Sequence, residues 1–113
     1  DLNPGNYSIY SRFTLHAINY DEEKNFLHHI FNLKNLKKLF IEVRTINDDL
    51  YGEGIKISEH EYITSHYRRF IDPKILKKQL EPYFKFDFFE ENRGFSKTQN
   101  DDPVLLRIVC SKK

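Results

Sequence analysis

The first half of the chain alternates between apolar runs and one amphipathic segment, and this pattern predicts a strand, a helix and a second strand. Residues 7–13 form a run of aromatic and β-branched residues that is typical of a strand. Asn19 or Asp21 can cap a helix, on which four apolar residues share one face: Phe26, Leu27, Ile30 and Phe31. Residues 39–43 are a compact apolar run, as expected of a buried parallel strand. The three segments together predict a right-handed βαβ unit.

The second half predicts a long loop, a helix and two strands. Residues 47–65 show no clear period and are predicted as a loop, of a length that is often functional. Asp72 and Pro73 mark the start of a helix, which Pro82 ends. Residues 84–88 alternate between phenylalanine and charged residues, and residues 104–110 are nearly all apolar, so both segments are predicted strands. Since no helix joins them, they should be antiparallel neighbours at the end of an otherwise parallel α/β sheet.

Length and composition narrow the class of protein. The 113 residues are enough for one small domain, residues 1–113, with 39% hydrophobic and 15% aromatic residues to build its core. A net charge of +1 argues against nucleic acid as a partner. No apolar stretch approaches the roughly 20 residues of a membrane helix, and no export signal is seen. With a single cysteine as well, a cytoplasmic protein without membrane insertion is predicted.

Polar residues at the carboxyl ends of the first two strands are the best candidates for chemistry, because ligands of open α/β sheets bind there. The first strand ends near Arg12, with His16 a little further on. The second ends with Glu42 and Arg44, which share one face of the strand, and Asp48 follows. His16 is a candidate for acid–base work. The alternative interpretation is that Glu42 and Arg44 form a structural ion pair.

Other chemistry-bearing residues are less informative. Residues 66–70 form the densest basic and aromatic cluster, in which Arg68 and Arg69 suit the binding of a carboxylate or phosphate; the alternative is a solvated turn. No metal site is predicted, since adjacent helical residues such as His28 and His29 point in different directions. Arg107 lies within an apolar strand and needs a partner, for which the glutamates at positions 90 and 91 are candidates.

Four stretches taken together resemble a known family: residues 10–18 (YSRFTLHAI), 41–52 (IEVRTINDDLYG), 66–70 (HYRRF) and 101–108 (DDPVLLRI). They are similar to the C-terminal half of class I S-adenosylmethionine-dependent methyltransferases, particularly bacterial ones of surface-polysaccharide gene clusters. The resemblance covers nearly the whole chain. It implies a partial Rossmann-like methyltransferase sheet, mostly parallel with an antiparallel C-terminal strand, that spans strands four to seven of the family.

The resemblance also implies a cofactor, S-adenosylmethionine, and a division of the site. The family's glycine-rich loop and ribose-binding acidic residue lie outside this sequence, so this chain would supply the methyl-acceptor side. Arg12 and His16 would lie closest to the transferred methyl group. The acceptor pocket would be shaped by seven residues: Glu42, Arg44, Asp48, Tyr51, His66, Arg68 and Arg69.

The arginines suggest an anionic or sugar-linked small molecule as the methyl acceptor, with His16 as the base. The first strand would present an open edge, which predicts self-association through it. A different class of protein also explains the absent cofactor loop: a non-catalytic α/β module that binds an acidic ligand or a protein partner.

Overall fold

The computed structural model describes residues 7–12 and 15–113 of the chain. A short 3₁₀ turn, Leu15–Ala17, follows the first strand. The helices and strands, in chain order, are β1 (Tyr7–Arg12), α1 (Tyr20–Phe31), β2 (Leu36–Arg44), β3 (Ile55–Ser58), β4 (Glu61–Ile63), β5 (Tyr67–Arg69), α2 (Pro73–Leu80), β6 (Phe84–Asn92) and β7 (Leu105–Lys112). Four strands form the main sheet in the order β1-β2-β7-β6, and β3-β4-β5 form a small second sheet.

The prediction of a mostly parallel, Rossmann-like α/β sheet is wrong. Of the pairings between the described strands, β1–β2 is parallel, whereas β2–β7, β6–β7, β3–β4 and β4–β5 are antiparallel. Seven strands and two short helices make the described chain mostly β. The main sheet is not mostly parallel because β7 pairs antiparallel with β2, a pairing between strands distant in sequence. In addition, the segment predicted as a loop contains β3 and β4, which belong to the second sheet.

Several local predictions are confirmed. β1, α1 and β2 form a parallel strand–helix–strand unit, and β6 and β7 are antiparallel neighbours. Asn19 caps α1 through a reciprocal capping box with Glu22, which satisfies two otherwise unpaired backbone N–H groups. Asp72 caps α2, with Pro73 at its first helical position.

Both helices pack on one face of the main sheet. On that face the residues of β2 and β7 pair directly across the strands, as in Ile41 with Ile108 and Val43 with Leu106. Leu27 of α1 and Leu76 of α2 belong to the same buried cluster. Full burial of each such side chain contributes about 1.5–3 kcal/mol. The hydrophobic core therefore lies between this face and the helices, and the other face has no helix of the described chain on it.

The small sheet is held by different contacts. All of β3 is exposed, so hydrophobic burial contributes little to that strand. At its start Gly54 has a φ of +94°, and a Cβ added there would lie 2.4 Å from the carbonyl oxygen of Ile63. Glycine is therefore required at this position. The ring of Tyr51 packs edge-on against Tyr62 and Phe70 and anchors the sheet.

Candidate functional site

The open face of the main sheet carries a row of apolar side chains. Tyr10, Phe40, Val109 and Phe88 are consecutive partners across β1, β2, β7 and β6. They line a groove with a volume of about 320 Å³. Tyr10 is 65% exposed, and its ring centroid lies 6.0 Å from that of Phe40. Exposed aromatic residues in one groove mark a surface suited to an apolar or planar ligand.

A row of charged side chains borders the groove on the side of the carboxyl ends of β1 and β2. Glu42 is buried, and its two carboxylate oxygens accept separate hydrogen bonds from arginines. Arg12 Nε donates to Oε1 over 2.9 Å, and Arg107 Nε donates to Oε2. The formal charges of the three side chains of this Arg–Glu–Arg cluster sum to +1.

The two arginines of the cluster remain accessible. The side chain of Arg12 is 49% exposed and that of Arg107 is 40% exposed, whereas that of Glu42 is 3% exposed. Glu42 thus orients the guanidinium groups through their Nε atoms, while the two arginine side chains remain partly exposed. A half-exposed arginine beside an apolar surface can bind a carboxylate, sulfonate or phosphate.

The connection between β6 and β7 completes this end of the groove. Arg12 Nη2 donates to the hydroxyl of Ser96 over 2.7 Å, and Arg107 Nη2 donates to the carbonyl of Phe95 over 2.8 Å. The guanidinium carbon of Arg107 lies 4.5 Å from the ring centroid of Phe95. The connection therefore fixes the direction of both arginines.

A second ion cluster lies beyond the first along β2. Arg44 donates to Asp48 over 3.0 Å and to Asp101 over 2.5 Å. Burial lowers the pKa of Arg44, but the hydrogen bonds and charges of the two aspartates outweigh it and raise the pKa. Asp48 also accepts hydrogen bonds from the backbone N–H groups of Leu50 and Val104. This cluster ties the segment after β2 to the start of β7.

Tyr51 and His66, two further predicted site residues, lie away from these clusters. The hydroxyl of Tyr51 contacts the carbonyl of Glu59 and the ring of His60 in the small sheet. His66 is exposed beside Ser65. The backbone of His16 lies in the 3₁₀ turn, and its side chain lies outside the described part of the structure, as do Phe13 and Thr14.

The neighbouring Arg68 and Arg69 point to opposite faces of β5, so they do not form a joint anion clamp. Arg68 has a long contact of 3.5 Å with the hydroxyl of Thr64. Arg69 is buried, forms an ion pair with Glu23 over 2.6 Å, and donates to the carbonyls of Leu15 and Ile18. It therefore joins the small sheet to α1 and to the 3₁₀ turn.

Of the residues that line the groove, Glu42 alone was predicted as a site residue, and Arg107, Tyr10 and Phe88 are among those that were missed. The sequence signal for Arg107 was its position within an apolar strand. Its Cα partner across the hairpin is Glu90, but its guanidinium binds Glu42 on the other neighbouring strand. Tyr10 and Phe88 could have been found by asking which aromatic residues alternate with the core positions of their strands.

The described residues do not fit S-adenosylmethionine. In open, mostly parallel α/β sheets a glycine-rich turn from a strand into a helix holds the phosphate part of a nucleotide cofactor. Gly52 and Gly54 instead lead into β3. In the described part of the chain, no three histidine, cysteine, aspartate or glutamate side chains are grouped so as to hold a metal ion.

A comparison of the chain with known protein families finds no match, and neither does a comparison with curated proteins. Neither described helix is long and apolar enough to cross a membrane.

Proposed function

We propose that this chain forms the methyl-acceptor side of an S-adenosylmethionine-dependent methyltransferase whose cofactor is held by polypeptide outside this sequence. The observation that carries the proposal is the contact between Arg12 and Glu42, at the carboxyl ends of two adjacent parallel strands. This contact opens onto an apolar groove. The four stretches that resemble the methyltransferases support the same assignment.

The groove suits an acceptor with an apolar or planar body and an anionic group, for instance a sugar-linked anion. Tyr10, Phe40 and Phe88 would contact the body, and Arg12 and Arg107 would contact the anion. Methyl transfer is an in-line displacement, so the protein contributes mainly alignment of the acceptor. Glu42 serves this alignment indirectly, because it holds both guanidinium groups.

For a hydroxyl acceptor a base is also required, and His16 is the proposed one. It follows Arg12 closely in the chain, and its backbone lies directly after the carboxyl end of β1. His16→Gln in the complete enzyme would then lower kcat and leave KM nearly unchanged, because the base acts in the chemical step. An equal loss of binding and turnover would contradict this role.

Calorimetry with S-adenosylmethionine tests the class. The chain alone should not bind the cofactor, and the chain extended by its natural upstream residues should bind it. Turnover by the extended form should fall about tenfold or more in Arg107→Gln with an anionic acceptor. It should remain unchanged in Arg68→Gln, a matched control. The absence of cofactor binding by the extended form would favour a non-catalytic module that binds an acidic ligand through the same arginines.

The outer edge of β1 is proposed as a site of self-association. Among the described strands β1 pairs with β2 alone, so its other edge presents unpaired backbone groups. Sedimentation of the chain should show association through this edge. A monomer at high concentration would contradict the proposal. With the methyltransferase function we also propose that the methyl acceptor is a small molecule and that the protein is located in the cytoplasm.

A further inference from the structure

Lysines gather at the end of the main sheet where β2 begins. The register of the strands brings three segments together there, because Ser111 of β7 pairs with Lys38 of β2 on one side and with Lys85 of β6 on the other. The turn after α1 lies at the same end, since Nζ of Lys112 donates to the carbonyl of Leu33 over 2.5 Å. These segments carry six lysines, which form the basic end of the molecule: Lys34, Lys37, Lys38, Lys85, Lys112 and Lys113.

Carboxylates offset only part of this charge. Among the described residues, Asp87 accepts a hydrogen bond from Nζ of Lys38 over 3.1 Å, and Glu81 follows α2 at the same end. Six lysines and these two carboxylates give the basic end a formal side-chain charge of +4, whereas the whole chain has a net charge of +1. At the opposite end of the strands, Arg44 and Arg93 are each paired with aspartates. Positive charge is therefore concentrated at the basic end.

An aromatic pair lies beside the lysines. The rings of Phe31 and Tyr83 are stacked with their centroids 4.2 Å apart, and Tyr83 is 50% exposed. The backbone N–H of Lys113 donates to the carbonyl of Tyr83 over 3.0 Å, which places the pair at the basic end. Tyrosine is enriched at membrane surfaces, because its ring is apolar and its hydroxyl is hydrated at the level of the lipid headgroups.

From this arrangement we infer that the basic end binds the surface of an anionic membrane as a peripheral contact. Lysines near such a surface are attracted to the acidic headgroups and strengthen binding about fivefold each. The exposed Tyr83 suits the same surface. Nucleic acid fits less well, because its recognition favours arginine, and the arginines of the described ranges all lie away from the basic end. This inference does not depend on the proposed methyl transfer.

Vesicle flotation tests the inference, since protein aggregates do not float with the vesicles. Vesicles of phosphatidylcholine with about 30% phosphatidylserine should carry the chain, and vesicles of phosphatidylcholine alone should not. Removal of two lysine charges, in the double variant Lys37→Gln, Lys113→Gln, should weaken binding about 25-fold. The matched control is Lys56→Gln, Lys97→Gln, which removes the same charge from exposed lysines elsewhere and should leave binding unchanged.

Tyr83 provides a second measurement that leaves the charge of the chain unchanged. The chain has no tryptophan, so Tyr83→Trp adds a single fluorophore at the basic end. Its emission should shift to shorter wavelengths with the anionic vesicles, whereas that of Tyr20→Trp, at the start of α1, should not. Equal binding by the two lysine variants, or no emission shift in Tyr83→Trp, would overturn the inference. Saturable binding of single-stranded oligothymidylate without flotation would overturn it in favour of nucleic acid.

Discussion

Two buried glutamates of this protein, Glu23 and Glu42, bind arginines in opposite ways. Glu23 in α1 pairs with Arg69, whose side chain is 8% exposed and whose other bonds reach backbone carbonyls. Glu42 in β2 pairs with Arg12 and Arg107, which are 49% and 40% exposed. The first pair joins two parts of the fold. The second holds two accessible cations beside an apolar groove.

The difference shows that the burial of a carboxylate does not by itself distinguish a structural ion pair from a ligand-binding one. Both carboxylates need partners, because an unpaired buried charge is costly. What differs is the capacity of the arginines for further contacts. Arg69 directs its donors inward, whereas the side chains of Arg12 and Arg107 are partly exposed. The exposure of the cation is therefore the useful indicator of a site.

The largest expected effect comes from breaking the buried ion pair between Glu23 and Arg69. Glu23→Ala should lower the free energy of unfolding by about 3–5 kcal/mol, because it leaves Arg69 charged, buried and without its carboxylate. Denaturant unfolding measures the loss. Arg68→Ala, on the other face of β5, is the control and should cost less than about 1 kcal/mol. Similar losses from both variants would show that Arg69 is not a structural anchor.

Replacement of Glu42, whose arginine partners are partly exposed, should lower stability less than replacement of Glu23. Glu42→Gln should lower the free energy of unfolding by about 1–3 kcal/mol, since the released guanidinium groups can be hydrated where they are. The same denaturant series compares it with Glu23→Gln. A loss from Glu42→Gln as large as that from Glu23→Gln would remove the distinction between the two clusters.

The groove should prefer anions because of its arginines. Arg107→Gln should change the free energy of unfolding by less than about 1 kcal/mol, as expected of a half-exposed ion pair. It should weaken binding of the aromatic sulfonate ANS, followed by fluorescence, about tenfold. Binding of the uncharged analogue N-phenyl-1-naphthylamine should stay constant. Phe88→Ser should weaken both probes, whereas Ile57→Ser, an exposed residue of the small sheet, should affect neither.

Cys110 on the core face should be inert in the folded protein. Burial raises the pKa of its thiol to about 12, with a smaller contribution from the charge of Asp87. Because the folded pKa is raised above the ordinary value of 9.0, the stability linked to this neutral thiol is present below pH 9.0 and is lost as pH rises toward about 12. Iodoacetamide at about pH 8 should modify the unfolded chain only. Equal rates for folded and unfolded protein would contradict burial of this strand.

The smallest expected effect is a loss of stability of the small sheet at acid pH. Hydrogen bonds from Ser58 and Tyr67 lower the pKa of Glu61. Burial and the same carboxylate raise the pKa of Tyr67. The contribution of Glu61 is therefore present above the ordinary glutamate pKa of 4.5 and is lost as pH falls below that value. Amide hydrogen exchange in acid should show that β4 opens before the main sheet. In Ser58→Ala, which lacks one of the hydrogen bonds to Glu61, this acid-dependent opening of β4 should be smaller. Simultaneous opening of both sheets would argue against this contribution.

Local sequence signals predicted much of the fold around the candidate site. The sequence predicted three features correctly because each depends on residues close together in the chain. These are the capping residues Asn19 and Asp72, the β1–α1–β2 unit and the pairing of β6 with β7. The small sheet was missed because β3 and β4 are short and, apart from Tyr62, largely solvent-accessible, so hydrophobic alternation does not mark them. The prediction of a mostly parallel sheet was wrong because strand order depends on contacts between residues distant in sequence, which local patterns do not show.

For the site, the sequence by itself determined that Arg12, Glu42 and Arg44 stand at the carboxyl ends of two neighbouring parallel strands. Only the tertiary structure decided that Glu42 binds Arg107, that Arg69 turns inward to Glu23, and that an aromatic row lies open beside the first cluster. The reason is that a strand position sets the face of a side chain through its two-residue period. The partner and exposure of that side chain depend on the register with strands distant in sequence.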